Sequence, residues 1–388
     1  MEAIIEKRNP TKEGRTYRSG RPLVMILGLR GMEGVQGGVE THVTQLIQHL
    51  PIAAARIEVL GRTPYRPRGL VPDPALPRIR WLPTTRHPAL EALVHSLLAV
   101  GYAAVRRPAM LHIHGIGPNL VTPLARLLGL RVVATHHGND YDREKWGRFA
   151  RAMLRRGERN AILHANATIA ISPIGAQTLR ERYHRDVAYI PNGVRPTAPV
   201  PAGETLARYG LASGRYVVNV ARLVPEKRQS DLIEAFVAAD LPNDVRLVLI
   251  GGADHEADYV QRVRALAGAD PRVILAGHVS GAPLAELFSN AGLFALPSTH
   301  EGLPIALLEA MAYGLPLLLS DLPVYPAMAL PAECLFPVGD VAALSRQLGA
   351  CFAAPPGRVD WGPLLAFYNW ERVGRETALI YDHVLGQK

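Results

Sequence analysis

LPSTHEGLPIALLEAMAYGLPLLLSD, residues 296–321, reads as strand, tight turn, helix and strand in succession. The apolar run GLFALPS at 292–298 leads into it, helix formers fill 303–314, and PLLLSD at 316–321 is a second short apolar run. Gly302 supplies the sharp turn, and Pro304 suits the first turn of a helix. Two short strands joined by a helix are the repeating unit of a parallel sheet.

The same alternation extends in both directions. Apolar runs stand at 22–29, 55–61, 109–115, 131–138 and 167–172, with amphipathic stretches at 39–50, 88–105 and 144–164 between them. The proline-rich segment YIPNGVRPTAPVP, 189–201, interrupts this series and reads as a linker. A second series follows, with strands at 215–223, 244–252, 272–278, 292–298 and 316–321 and helices at 226–239, 255–268, 282–290 and 303–314. The reading is α/β, with two Rossmann-like domains. A chain of 388 residues suits two such units. Open parallel sheets bind ligands at the carboxyl ends of their strands, so two sheets facing each other place both ligand edges on one cleft.

Composition sets bounds on function. No run of about 18 apolar, uncharged residues occurs, which excludes a simple membrane span. Residues 1–20 form a polar, basic tail with no apolar core of a secretion signal, and a poorly ordered tail is expected there. Cys334 and Cys351 are the only cysteines, too few for a disulfide framework. A cytoplasmic protein is expected. The net charge of +9 is unevenly spread, with 28 Lys+Arg against 14 Asp+Glu in residues 1–190 and 15 against 20 thereafter. Arg62, Arg66, Arg68, Arg143, Lys145, Arg148, Arg151, Arg155, Arg156 and Arg159 carry much of the excess. Such a face attracts an anionic membrane surface or a phosphorylated acceptor, or it is a set of solvated arginine-rich helices. Nucleic acid is not expected, because no zinc-finger spacing, aromatic RNA-binding motif or basic zipper is present.

Four segments fall at the strand ends where a cleft would lie. In the first, Glu301 stands in the turn and Glu309 more than a helical turn deeper. Glu301 suits sugar hydroxyls and Glu309 a ribose diol, with each charge-assisted bond worth roughly 1.5–3 kcal/mol. The backbone at Gly302, Leu303 and Pro304 opens a helix N-terminus, which favours anionic or hydroxyl oxygens. The plainer reading is a capping box of Ser298 with Glu301. In the second, VARLVPEKRQSDLIEAF at 220–236, Arg222 ends a strand and Lys227 precedes a helix. Cations there oppose the helix dipole unless an anion lies between them, and a diphosphate fits. The alternative is a pair of surface cations. In the third, GLRGMEGVQGGVETHVTQL at 28–46, Gly37 and Gly38 permit close approach of a phosphate or sugar, while Glu40 complements the helix start. In the fourth, His112 and His114 alternate along a strand, and His136, His137 and Asp140 follow the next one. Substrate contact by His137 leads there, ahead of plain packing, and a metal site is disfavoured because no tight ligand spacing completes a set.

Together these segments resemble glycosyltransferase family 4, retaining enzymes of GT-B fold. The resemblance runs from about residue 22 to 385, and its most specific element is EGLPIALLE at 301–309. ARLVPEK, GGVE near residue 37, THHGND and IPNGV at 190–194 follow in the family's order. The resemblance implies Arg222 and Lys227 on a donor diphosphate, Glu309 on its ribose, Glu301 and the backbone near Gly302 and Leu303 on the donor sugar, and His137 opposite. His136 and Asp140 are expected at the acceptor. It also implies a closing helix, after YNWERV at 368–373, that crosses back to the first domain. The expected domains are 21–192 with 370–388, and 193–369. EGLP in place of the commoner EGFG leaves the sugar open, while THHGNDYDREKWG is similar to bacterial surface-polysaccharide transferases that move mannose or rhamnose.

The expected partners are a nucleotide-diphosphate sugar and a glycan or polyprenyl-diphosphate-linked acceptor, with no cofactor and no metal requirement. The basic first half points to placement at the inner face of a membrane. A nucleotide-sugar epimerase or a phosphorylase could share the two-domain plan, as could a non-catalytic glycan or lipid adaptor. The paired acids and cations argue against the adaptor.

Overall fold

The structure is a computed structural model describing residues 21–386 apart from 33, 52–54, 68–75, 88–89, 140, 142–146, 253–256 and 356. The expectations for the tail 1–20, Arg68, Asp140, Arg143 and Lys145 lie outside the described residues.

Two parallel sheets form the frame. The first contains β1 (Leu23–Leu27), β2 (Arg56–Arg62), β3 (Arg78–Leu82), β4 (Met110–His114), β5 (Val132–His136), β6 (Ala167–Ala170) and β7 (Ala188–Tyr189), in the order β3-β2-β1-β4-β5-β6-β7. The second contains β8 (Tyr216–Val220), β9 (Arg246–Ile250), β10 (Val273–Gly277), β11 (Leu293–Leu296), β12 (Leu317–Ser320) and β13 (Leu335–Phe336), in the order β10-β9-β8-β11-β12-β13. Central strands are buried on both faces. Val24 and Ile26 of β1 join one apolar cluster, and Met25 and Leu27 join another on the opposite side. In β8, Val218 and Val217 divide in the same way. A strand covered on both faces has no polar side to show, which is why these segments read as continuous apolar runs. Each such side chain contributes roughly 1.5–3 kcal/mol on burial, so a charge at Val24 or Val218 would break its sheet.

The longer helices are α1 (Gly38–His49), α2 (Glu91–Arg106), α3 (Arg148–His164), α4 (Pro173–Tyr183), α5 (Gln229–Ala238), α6 (Ala257–Ala269), α7 (Gly281–Asn290), α8 (Ile305–Ala312), α9 (Val341–Ala353) and α10 (Trp370–Gly386). Among the described residues, no helix is long and apolar enough to cross a membrane. Helix α10 returns to the first sheet, where Trp370, Val373, Tyr381 and Val384 pack with Val24, Ile26 and Met110. It crosses α1 closely enough that a Cβ on Gly374 would lie 2.1 Å from the His49 carbonyl oxygen. The two passages between the sheets run side by side, with Val194 N–H donating to the Tyr368 carbonyl at 2.8 Å.

In each sheet the order reverses at one place, between β1 and β4 in the first and between β8 and β11 in the second. Chains leaving neighbouring strands diverge there and open a crevice at the carboxyl ends.

Candidate functional site

At the second sheet's switch point, two turns are stitched together. The turn after β8 holds Arg222, whose carbonyl accepts from Gln229 Nε2 at 2.8 Å. A short 3-10 turn, Pro225–Lys227, then carries the lysine, and Arg228 takes the left-handed conformation (φ 48°) before α5 begins. The turn after β11 is tied to it by Thr299 N–H donating to the Glu226 carbonyl at 2.9 Å. This fastening brings Lys227 Nζ to 2.5 Å from Glu301 Oε1, which also accepts from Ser298 Oγ at 2.7 Å. The Ser298–Glu301 bond therefore exists, but it is no capping box. The helix starts only at Ile305, with Pro304 at its N-cap rather than in its first turn. Pro304 has no N–H to offer, and the Leu303 carbonyl accepts from Asn192 Nδ2 at 2.6 Å. Glu309 lies half-buried on α8, and burial pushes its carboxyl up to about 7.

The first sheet contributes the loop between β1 and α1. Arg30 donates to Glu40 through both its backbone N–H (3.1 Å) and Nε (3.2 Å), and it also holds the Gln36 carbonyl. Glu40 is thus a buried clasp for the loop, beyond the helix-start role expected of it. A Cβ on Gly37 would lie 1.9 Å from Glu40 Oε2, so a side chain there would displace the Glu40 carboxylate from this clasp. Around Gly38 a Cβ would meet nothing within 4 Å. Gln36 reaches the other half, where its Oε1 accepts from Gly252 N–H at 2.8 Å.

The halves also meet at His137 and Gly302. A Cβ on Gly302 would stand 2.5 Å from the His137 carbonyl oxygen, and one on Gly138 would stand 3.6 Å from Gly302 Cα. The backbone carbonyl of His137 therefore abuts the Glu301 turn, while its ring turns to the histidines of the first sheet. Its Nε2 lies 3.0 Å from His114 Nδ1, and its ring meets that of His42 edge-on at 4.8 Å. Burial and the neighbouring imidazoles hold the His137 pKa well below the ordinary value. At neutral pH it is a neutral hydrogen-bonding group, not a stored proton.

Other expected residues fall elsewhere. His136 points away from His137, is buried, and meets Glu158 Oε2 of α3 at 3.3 Å, so contact with an acceptor does not follow from its position. Glu158 is fully buried. Desolvation raises its pKa, but hydrogen bonds from His136 and Tyr183 outweigh that and leave it below the ordinary carboxylate value. His112 is a satisfied core residue, bonded to Tyr381 Oη at 2.8 Å and Thr135 Oγ1 at 2.7 Å. Arg62 corrects the basic face: it is buried and paired with Glu91 at 3.0 Å. Arg148, Arg155, Arg156 and Arg159 are exposed along α3 as expected, beside a Phe149 that is 80% exposed.

Sequence reasoning did not find Arg30, Gln36, His42 or Asn192. Asn192 lay inside the segment read as linker, yet it is buried and joins three elements. Arg30, Gln36 and His42 carry no local spacing pattern that would mark them, and IPNGV at 190–194 carries the resemblance without giving Asn192 a role.

Comparison with known proteins supplies a context for this cleft. Residues 36–198 match the family model "Glycosyltransferase Family 4", and residues 208–362 match "Glycosyl transferases group 1". A phosphatidyl-myo-inositol mannosyltransferase of Mycobacterium leprae is 27% identical over 371 residues, covering 90% of this chain and 94% of the relative. A GDP-mannose-dependent alpha-mannosyltransferase of Mycolicibacterium smegmatis is 28% identical, over 73% of this chain and 76% of the relative. Among solved structures, sucrose-phosphate synthase from Thermosynechococcus elongatus superposes with a TM-score of 0.77 at 20% identity, covering 94% of this chain and 99% of the other. Anabaena HepE in complex with UDP-glucose gives 0.74 at 18% identity, covering 94% and 100%.

Proposed function

We propose that this chain, which belongs to glycosyltransferase family 4 and has the GT-B fold, moves a hexose from a nucleotide-diphosphate sugar to a glycan or lipid-linked acceptor with retention at the anomeric carbon. The observation that carries this reading is one arrangement: the Lys227–Glu301 pair on one lobe, with His137 against Gly302 from the other. Mannose is the favoured sugar, because several relatives matched over most of their length are named as mannosyltransferases. A guanosine nucleotide is favoured because one of them is named as GDP-mannose-dependent. An alpha-maltose-1-phosphate synthase matched over 90% of this chain keeps a glucosyl donor as the competing outcome.

In this mechanism the donor diphosphate lies by Arg222 and Lys227, the ribose by Glu309, and the hexose between Glu301 and His137. Breaking the anomeric bond builds negative charge on the departing phosphate. Fixed cations accelerate the step to the extent that they meet that charge more strongly in the transition state than before it. Arg222 supplies a planar fork and Lys227 a point charge, so the two can do this without a metal. Glu301 is already engaged by Lys227 and Ser298, which suits it to orient hydroxyls rather than attack carbon. Attack from the face the nucleotide leaves follows, with the departing phosphate taking the acceptor proton. The open room around Gly38 belongs to the same cleft in this reading. The arginines of α3 place the protein against an anionic membrane that presents the acceptor.

Thermal-shift titration with GDP, UDP, ADP and TDP tests the donor assignment, since a ligand bound only by the folded state raises the melting point. GDP is expected to give the largest shift, followed by mannose transfer from GDP-mannose to a lipid extract. No shift with any of the four would overturn the transferase reading.

A further inference from the structure

The histidines at the first sheet's switch point form more than a packing cluster. His42 comes from α1, His114 from the end of β4 and His137 from the residue after β5, and their ligand atoms all lie within 4.8 Å of one another. We propose that His42, His114 and His137 form a binding site for a zinc-class divalent cation, whose occupation takes His137 away from the cleft.

The hydrogen bonds around the cluster fix its chemistry. Asn192 Nδ2 donates to the Leu303 carbonyl at 2.6 Å, which sets the orientation of the amide. Asn192 Oδ1 is therefore the acceptor in its 2.7 Å contact with His42 Nδ1. His42 must carry its proton on Nδ1, and Nε2 is left with a bare lone pair, the form that ligates a metal. An oxygen that holds the far nitrogen of a ligating imidazole is the usual outer support of a histidine–metal bond. His114 is fully buried, and its Nε2 has no hydrogen-bond partner among the described residues, so Nε2 can carry the ring proton and leave the Nδ1 that lies 3.0 Å from His137 bare for a metal.

Three imidazole nitrogens and no carboxylate select zinc, cobalt or nickel over magnesium or calcium. With metal–nitrogen bonds of about 2.0–2.1 Å, tetrahedral ligands stand roughly 3.4 Å apart. The 3.0 Å His114–His137 pair would open slightly and the widest separation would close by about 1.4 Å, within reach of ring rotations. His42 and His114 are buried and His137 is half-buried, so a cation enters past His137 and its fourth position faces the cleft.

No step is added to the reaction. Occupation would be inhibitory, because it withdraws the group that the proposed function sets beside the donor sugar. That consequence rests on the proposed function, whereas cation binding does not.

The test is titration of the chelator-stripped full chain with Co2+, read by visible absorption. One equivalent is expected to give the intense d–d bands of a low-symmetry nitrogen site, which Zn2+ then displaces and Mg2+ leaves alone. His42→Gln, checked for an unchanged melting point, should lower the affinity at least about tenfold. Absence of these bands from the wild-type chain would overturn the site, whether or not the variant folds. Zn2+ at saturating occupancy should also suppress sugar transfer reversibly, with EDTA restoring it. A normal cobalt spectrum with uninhibited transfer would overturn the occlusion, and a normal spectrum in a chain that transfers no sugar would leave the site standing while removing the proposed function.

Discussion

Lys227 Nζ and Glu301 Oε1 stand 2.5 Å apart, joined across two turns that leave different strands of the second sheet. The two side chains are 18% and 7% exposed, so the pair is largely withdrawn from water. A desolvated ion pair adds little net stability, because loss of hydration offsets the attraction. On the proposed function its use is in poise, each charge balancing the other until the donor arrives.

Under the proposed function, replacing Lys227 by Ala removes a charge that meets the departing diphosphate, and it leaves Glu301 unbalanced. Turnover is expected to fall at least about 100-fold, comparable to the loss of an oxyanion donor. Initial rates at saturating donor check this, and a rate near wild type would remove the lysine from the chemistry.

Glu309 predicts a pH dependence with a definite sign. Its carboxyl is raised by burial from 4.5 to about 7, so between those values the folded state keeps a proton that the unfolded chain releases. Stability contributed by this group is present below 4.5 and is lost as pH rises to about 7, then stays flat. Glu309→Gln should therefore melt higher than wild type above pH of about 7, with the gain vanishing in acid. Nucleotide affinity should move the other way, rising as wild-type Glu309 ionises and becomes a stronger acceptor for the ribose. Calorimetric titration of GDP against pH should show that rise flattened in Glu309→Gln, and identical profiles would separate Glu309 from the nucleotide.

The two neighbouring glycines give a paired test. Gly37→Ala drives a methyl into Glu40 and disturbs the clasp to Arg30, so both melting point and nucleotide binding should drop. Gly38→Ala meets no protein atom, so the melting point should hold while donor or acceptor affinity weakens. A Gly38→Ala protein with wild-type kinetics would show that the space is unused.

Charge reversal at Arg155, Arg156 and Arg159 addresses the membrane. Binding of wild type to anionic vesicles should weaken as salt rises, since screening acts over about 10 Å at 0.1 M. The triple Glu variant should lose it at low salt, by roughly 1 kcal/mol for each arginine removed. Flotation with phosphatidylserine vesicles measures both effects, and binding insensitive to salt would exclude an electrostatic contact.

The ten strands visible in the sequence were legible because strands covered on both faces become unbroken apolar runs. The missed strands lie toward the rims. In β3, RIRWL, arginine interrupts the run, and β7 and β13 are two residues each, too short for any period. In the site, Glu301, Gly302 and Glu309 could be read because one turn and one helix hold them at short spacing. Arg30 and Glu40 meet only through the fold of the β1–α1 loop, and His42 joins His114 and His137 only through the β1–β4 switch, so no spacing pattern marks them. Arg62 was misread for a related reason: its partner Glu91 lies 29 residues away, so the sequence shows a cation without its counterweight.

The amide of Gln36 resting on Gly252 puts the two lobes in touch across the cleft. On the proposed function, a guest as long as a nucleotide sugar has to part them on arrival, and the spent nucleotide has to part them again on leaving. Parting the lobes is then a step on the path in and out, as in other enzymes whose conformational steps gate turnover. Loosening that one glutamine would ease the parting and give up shelter from water in return.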